Sequence, residues 1–187
     1  MGQFGTAERK MSEITVLIIF YSRSGETEKL ALAAAVGAVQ ARANIRLRRL
    51  SDAVTEILPE CRETFDRMRK EYVPPAEPDI VSADAIIVGV PAGFTALSVE
   101  LGEFLDLLKR LAPAGKLEGK VAAIFSSRGN IDDASEASLM SVSTAILRLG
   151  FITMPPVALE TRSDRVDHAV AQGRKVAMTA RALKRAS

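Results

Sequence analysis

The sequence predicts an α/β domain built on a doubly wound, five-stranded parallel sheet of order 2-1-3-4-5, with helices on both faces. Two observations predict it. Short apolar runs rich in β-branched residues recur at Ile14 to Phe20, Ala85 to Val90 and Val121 to Phe125, as expected of strands buried on both faces. Helical patterns separate these runs, and strands that alternate with helices are joined in parallel by right-handed crossovers. In the order 2-1-3-4-5 the chain switches direction between strands 1 and 3, so the loops after Phe20 and Val90 should face each other across a crevice.

The elements follow in chain order. Strand 1 passes through Tyr21 to Thr27 into an alanine-rich stretch with high helix propensity that ends near Gln40. From Asn44 to Leu50, Ile45, Leu47 and Arg49 alternate with Arg46 and Arg48, the pattern of an edge strand. Prolines 59, 74, 75 and 78 bracket a charged stretch, Glu60 to Tyr72, that reads as a solvated connecting helix. After strand 3, Leu97, Leu101, Phe104, Leu105 and Leu108 mark a helix to Leu111, and Pro113 stops it. Asp133 and Glu136 have the spacing of a capping box for a helix to Leu149, closed by Gly150. A last strand over Phe151 to Leu159 is interrupted by Pro155-Pro156, and Ser163 or Asp164 caps a final helix to about Ala186.

Composition narrows the class. The chain has 187 residues, 48% of them apolar, and fits one soluble domain over residues 12–187. Residues 1–11 read as a disordered extension, with Met11 a second possible start. A net charge of +2 with scattered basic residues argues against nucleic-acid binding. No apolar run is long enough to span a membrane, so no membrane partner is expected. One cysteine, Cys61, excludes an internal disulfide and a cysteine-based metal cage, and fits a reducing, cytoplasmic setting. The one histidine, His168, lies far from it in sequence and reads as a surface residue.

Candidate chemistry gathers at the carboxyl ends of the three central strands. In the first loop Ser22, Ser24 and Thr27 offer hydroxyl donors, Gly25 allows a sharp turn, and the unpaired amides of the following helix point into the same space. Such a nest suits a phosphate monoester, with Arg23 as an added cation and Glu26 turned outward. The alternative is a well-capped strand-to-helix turn with no ligand. The second loop, Pro91-Ala92-Gly93-Phe94, offers an aromatic wall and close backbone approach; the third, Ser126-Ser127-Arg128-Gly129, offers a polar rim.

These residues carry a resemblance. Ser22 to Thr27 resembles the flavodoxin phosphate loop, in which hydroxyl, any residue, hydroxyl, glycine, any residue and threonine hold the 5′-phosphate of flavin mononucleotide. From Val16 to about Val157 the chain is similar to the WrbA-type NAD(P)H:quinone oxidoreductases. Gly89-Val90-Pro91-Ala92-Gly93-Phe94-Thr95 resembles the family's Gly-Thr-Pro-Thr-Arg-Phe-Gly, and Phe104-Leu105-Asp106, Gly119-Lys120 and Phe125-Ser126-Ser127 also match. The resemblance implies a flavodoxin-like fold, FMN as cofactor, NAD(P)H as co-substrate and a quinone-like acceptor. It further implies two-electron reduction by ping-pong hydride transfer, and a homo-oligomer, dimer or tetramer. Its implied cofactor-binding residues are Ser22, Arg23, Ser24, Gly25, Glu26 and Thr27 at the phosphate, and Pro91, Ala92, Gly93, Phe94, Ser126, Ser127, Arg128 and Gly129 at the ring.

Hydride would arrive at and leave from the flavin, so no catalytic side chain and no metal ligand is expected. The chain departs from the family in three places. Arg128 to Asp133 replaces a glycine-rich loop, Ala112 stands about where a tryptophan falls, and Leu149 replaces a histidine. Two other readings are a domain that binds FMN weakly or not at all and acts by binding, and a one-electron flavodoxin carrier. Against the carrier stand the mildly basic charge and an aromatic content of 5%.

Overall fold

Strand β1 (Ile14–Phe20) is an interior strand of the sheet, and every residue in it except Thr15 is buried. In the computed structural model, which describes residues 13–53, 57–91, 98–127, 133–158 and 164–186, β1 is flanked by β2 (Ala43–Arg49) and β3 (Ala85–Val90). Strand β4 (Val121–Ser126) pairs with β3, and the short β5 (Ile152–Thr153) and β6 (Val157–Ala158) both pair with β4. All pairings are parallel and the order is β2-β1-β3-β4-β5, as the sequence predicts. The last strand is two brief segments because Pro155 and Pro156 supply no amide donor to the ladder.

The period-2 alternation of β1 divides the core. Ile14, Val16, Ile18 and Phe20 face α1 (Glu26–Gln40) and α6 (Arg165–Ala186), while Leu17, Ile19 and Tyr21 share the other layer with residues of α3 (Glu77–Ser82), α4 (Val99–Leu111) and α5 (Asp133–Leu147). Helices α1 and α6 lie unusually close. A Cβ on Gly37 would sit 1.9 Å from the Val170 carbonyl oxygen, and one on Gly173 would sit 1.9 Å from that of Ala34.

Some boundaries differ from the sequence reading. Helix α5 ends at Leu147 rather than Leu149, because the last amides tighten into a turn that closes on Gly150, whose φ is +98°. Helix α4 begins at Val99, and the predicted start at Leu97 lies outside the described residues. Helix α3 is absent from the sequence reading. It is short, it carries Pro78 in its first turn, and the Asp79 carboxylate accepts the Ala76 amide at 3.1 Å to hold its start.

The charged helix α2 (Arg62–Glu71) is more than a solvated connector: Phe65 and Met68 are buried, and it packs beside the first loop. Strand β2 is at the sheet edge as expected, yet its final residue, Arg49, is 4% exposed. His168 is exposed on α6, and Cys61 is a partly buried free thiol.

Candidate functional site

The three central strands end level with one another. Phe20 stands opposite Gly89, Gly89 opposite Phe125, and Val90 opposite Ser126. Two further backbone bonds carry the alignment into the loops: the Tyr21 amide donates to the Gly89 carbonyl at 3.0 Å, and the Ser127 amide to that of Val90 at 3.0 Å. The Phe125 ring lies over Gly89, where a Cβ would stand 2.4 Å from it, so a side chain at this position would displace the ring.

The first loop is a closed turn. The Gly25 amide donates to the buried Ser22 Oγ at 2.9 Å, and Gly25 takes a φ of +89°, a left-handed conformation that side chains disfavour. The Gly25 carbonyl then accepts the Lys29 amide, the first bond of α1. Among the described residues no side chain caps that first turn, which leaves its amides as donors. Ser24 is exposed beside them, and Thr27 is buried, its Oγ1 donating to Ser127 Oγ at 3.0 Å.

Two carboxylates in the first turn would oppose an anion, and both are neutralised. Glu26 is held by Lys29 at 2.9 Å and by Arg165 of α6 at 3.2 Å. Its carboxyl is held below the usual range, first by the Lys29 hydrogen bond. Glu28 turns back toward α2, where Arg67 grips it through both oxygens at 3.0 and 2.6 Å and the Tyr72 hydroxyl donates at 2.9 Å. Burial pushes the Glu28 carboxyl up, but the hydrogen bonds from Arg67 and Tyr72 outweigh it and hold it low. The Tyr72 hydroxyl is pushed up to about 12 by burial and by its bond to Glu28.

Arg23 is exposed and its Nε donates to the Tyr21 hydroxyl at 3.4 Å. Burial raises the Tyr21 pKa, opposed by that bond. Pro91 is partly buried at the end of β3, and Ser126 and Ser127 are 3% and 6% exposed at the end of β4. The structure therefore brings Ser22 to Thr27 together with Ser126 and Ser127. Ala92, Gly93, Phe94, Arg128 and Gly129 lie outside the described residues.

The sequence reading missed the cations that organise this site. Arg165 spans the first and third loops, donating to the Ser127 carbonyl at 3.4 Å as well as to Glu26. Arg67 and Tyr72 stand far from Glu28 in the chain, and no local pattern announces their pairing. The alternation of β2 gave one hint, placing Arg49 on the inward face. Among the described residues, no cluster of His, Cys, Asp and Glu has the make-up of a metal site.

The donor set fits a phosphate monoester: free helix amides, an exposed serine hydroxyl and a threonine hydroxyl converge where the local carboxylates are paired. This sheet order, with a hydroxyl loop after β1, defines a flavodoxin-like protein. Residues 14–164 match the family model described as NADPH-dependent FMN reductase, and the chain belongs to that family.

The chain is 31% identical over 137 residues to NAD(P)H dehydrogenase (quinone) 3 of Rhizobium meliloti, a match covering 73% of this chain and 64% of that one. It is 33% identical over 146 residues to NAD(P)H dehydrogenase (quinone) of Archaeoglobus fulgidus, covering 75% and 76% of the two chains. The fold is similar to that of the WrbA-like flavodoxin protein from Agrobacterium tumefaciens, with a TM-score of 0.67 and 19% identity over 91% of this chain and 99% of the other. The match to the Rhizobium protein thus spans slightly less than two thirds of that relative's length.

Proposed function

We propose that the protein is an FMN-dependent NAD(P)H:quinone-type oxidoreductase. The observation that carries this reading is the uncapped first turn of α1, with Ser24 and Thr27 beside it and Glu26 and Glu28 drawn away by Arg165, Lys29 and Arg67. The relatives named NAD(P)H dehydrogenase (quinone) support the choice of donor and acceptor. FMN, when bound, supplies two-electron hydride chemistry between a nicotinamide and a quinone.

The chain's own part is to bind, orient and exclude water. The amides of the α1 first turn and the hydroxyls of Ser24 and Thr27 hold the 5′-phosphate; Ser22 keeps the turn closed through the Gly25 amide. Pro91, Ala92, Gly93 and Phe94 would contribute the apolar contacts to the ring, and Ser126, Ser127, Arg128 and Gly129 its polar contacts. Nicotinamide and quinone use one pocket in turn, so double-reciprocal plots give parallel lines, and intersecting lines would count against this scheme. A cytoplasmic, homo-oligomeric state completes the proposal.

The deciding experiment is a visible absorption spectrum of the purified protein after incubation with excess FMN and desalting. Retained flavin bands support the reading and lead to an NAD(P)H-dependent quinone assay. A colourless protein would overturn it in favour of a flavin-free binding domain.

A further inference from the structure

Arg49 ends the edge strand β2, but its side chain is 4% exposed and runs beneath the first loop. Its guanidinium lies 5.3 Å from the centroid of the Tyr21 ring and 4.9 Å from that of Phe65, so two aromatic rings flank it. Asp52 takes both Nη atoms, at 2.8 and 2.6 Å. The Nη2 group also donates to the carbonyl oxygen of Ser22 at 3.1 Å, while Nε finds no partner among the described residues. A buried cation is costly to desolvate, and the close pairing with Asp52 offsets that cost. The contact that reaches the first loop's backbone is the one to the Ser22 carbonyl.

Ser22 is the residue whose hydroxyl closes the turn on the Gly25 amide. A fork that holds the Ser22 carbonyl therefore sets the direction of the next peptides and of the amides that follow. We propose that Arg49 is a positioning residue for the anion cradle: it fixes the Ser22 carbonyl from below, so that the loop presents its donors to the phosphate of the ligand. A planar guanidinium in cation–π contact with two rings and paired with Asp52 supplies the rigidity that a lysine lacks. The inference rests on the FMN reading above, and it concerns the phosphate end of the ligand alone.

The test compares FMN with riboflavin, which shares the ring but has no phosphate, by fluorescence titration of the wild-type protein, Arg49→Lys and Asp52→Asn. Expected is a loss of roughly tenfold or more in FMN affinity for Arg49→Lys with riboflavin affinity changed less than about twofold, and a smaller FMN-only loss for Asp52→Asn. A parallel loss for both flavins, or no loss for either, would overturn the positioning role. Asp52→Asn leaves the guanidinium and its ring contacts in place, so it carries the comparison if Arg49→Lys does not fold. Wild-type protein that binds neither flavin would overturn the FMN reading itself, and this inference with it.

Discussion

Thr27 and Ser127 stand 100 residues apart in the chain and are joined by one buried hydroxyl-to-hydroxyl hydrogen bond of 3.0 Å. That bond ties the helix following β1 to the loop following β4, across the intervening strand β3. Either hydroxyl can rotate to donate, so Ser127 can satisfy Thr27 while the Thr27 proton turns to a phosphate oxygen.

Thr27→Ala should therefore weaken FMN binding more than Ser127→Ala does. Thr27→Ala removes a charge-assisted phosphate donor, whereas Ser127→Ala removes its support and a neutral contact at the rim of the ring. Charge-assisted hydrogen bonds contribute about 1.5–3 kcal/mol each, so Ser24→Ala and Thr27→Ala together should lower FMN affinity by a few kcal/mol. Titration of the single and double variants measures both claims, and unchanged affinity would remove this loop from the site.

Gly25 holds a φ of +89°, and a Cβ there would approach Thr64 Cγ2 of α2 to 3.1 Å. Gly25→Ala should cost about 1–2 kcal/mol in urea unfolding, mostly from the left-handed backbone. Adding Thr64→Ser relieves only the contact, so the double variant should recover a minor part. Full recovery would show that crowding dominates.

The contact between α1 and α6 leaves no room for a methyl group at Gly37 or Gly173, because each Cβ would strike backbone atoms of the facing helix. Either Gly→Ala substitution should destabilise the fold by about 3 kcal/mol or more, despite alanine's better helix propensity, since a helix must shift. Thermal unfolding decides it. A neutral or stabilising result would mean that the helices are not so closely apposed.

Glu28 and Asp79 both have lowered carboxyl pKa values in the folded protein. For each, burial pushes upward and is outweighed by hydrogen bonds, from Arg67 and Tyr72 to Glu28, and from Arg48 and the Ala76 amide to Asp79. A group with a depressed folded pKa adds stability above its unfolded value, and that stability is lost as pH falls through the folded pKa. Stability should hold near neutrality and drop below about pH 4.5. Glu28→Gln should be less stable at pH 7 by about 1–2 kcal/mol and show a shallower acid transition. An unchanged acid slope would mean that Glu28 is not linked to unfolding.

Much of this protein can be read from local pattern. The apolar runs of β1, β3 and β4, the hydroxyl loop and the stops at Pro113 and Gly150 each act within a few residues, where periodicity and turn chemistry decide. The parallel order of the sheet followed, because handed crossovers leave few ways to connect such elements. Tertiary structure decided the electrostatics. The alternation of the edge strand groups Arg49 with Ile45 and Leu47 but names no partner for it, the stretch that forms α2 reads as a solvated connector, and no local pattern singles out Arg165. Folding placed the first beneath Ser22, the second against Glu28 and the third between Glu26 and Ser127. Hydrophobic burial repeats with the local backbone period, so sequence displays it. The pairing of charges depends on which distant segments the fold brings within about 3 Å, and no local rule encodes that distance.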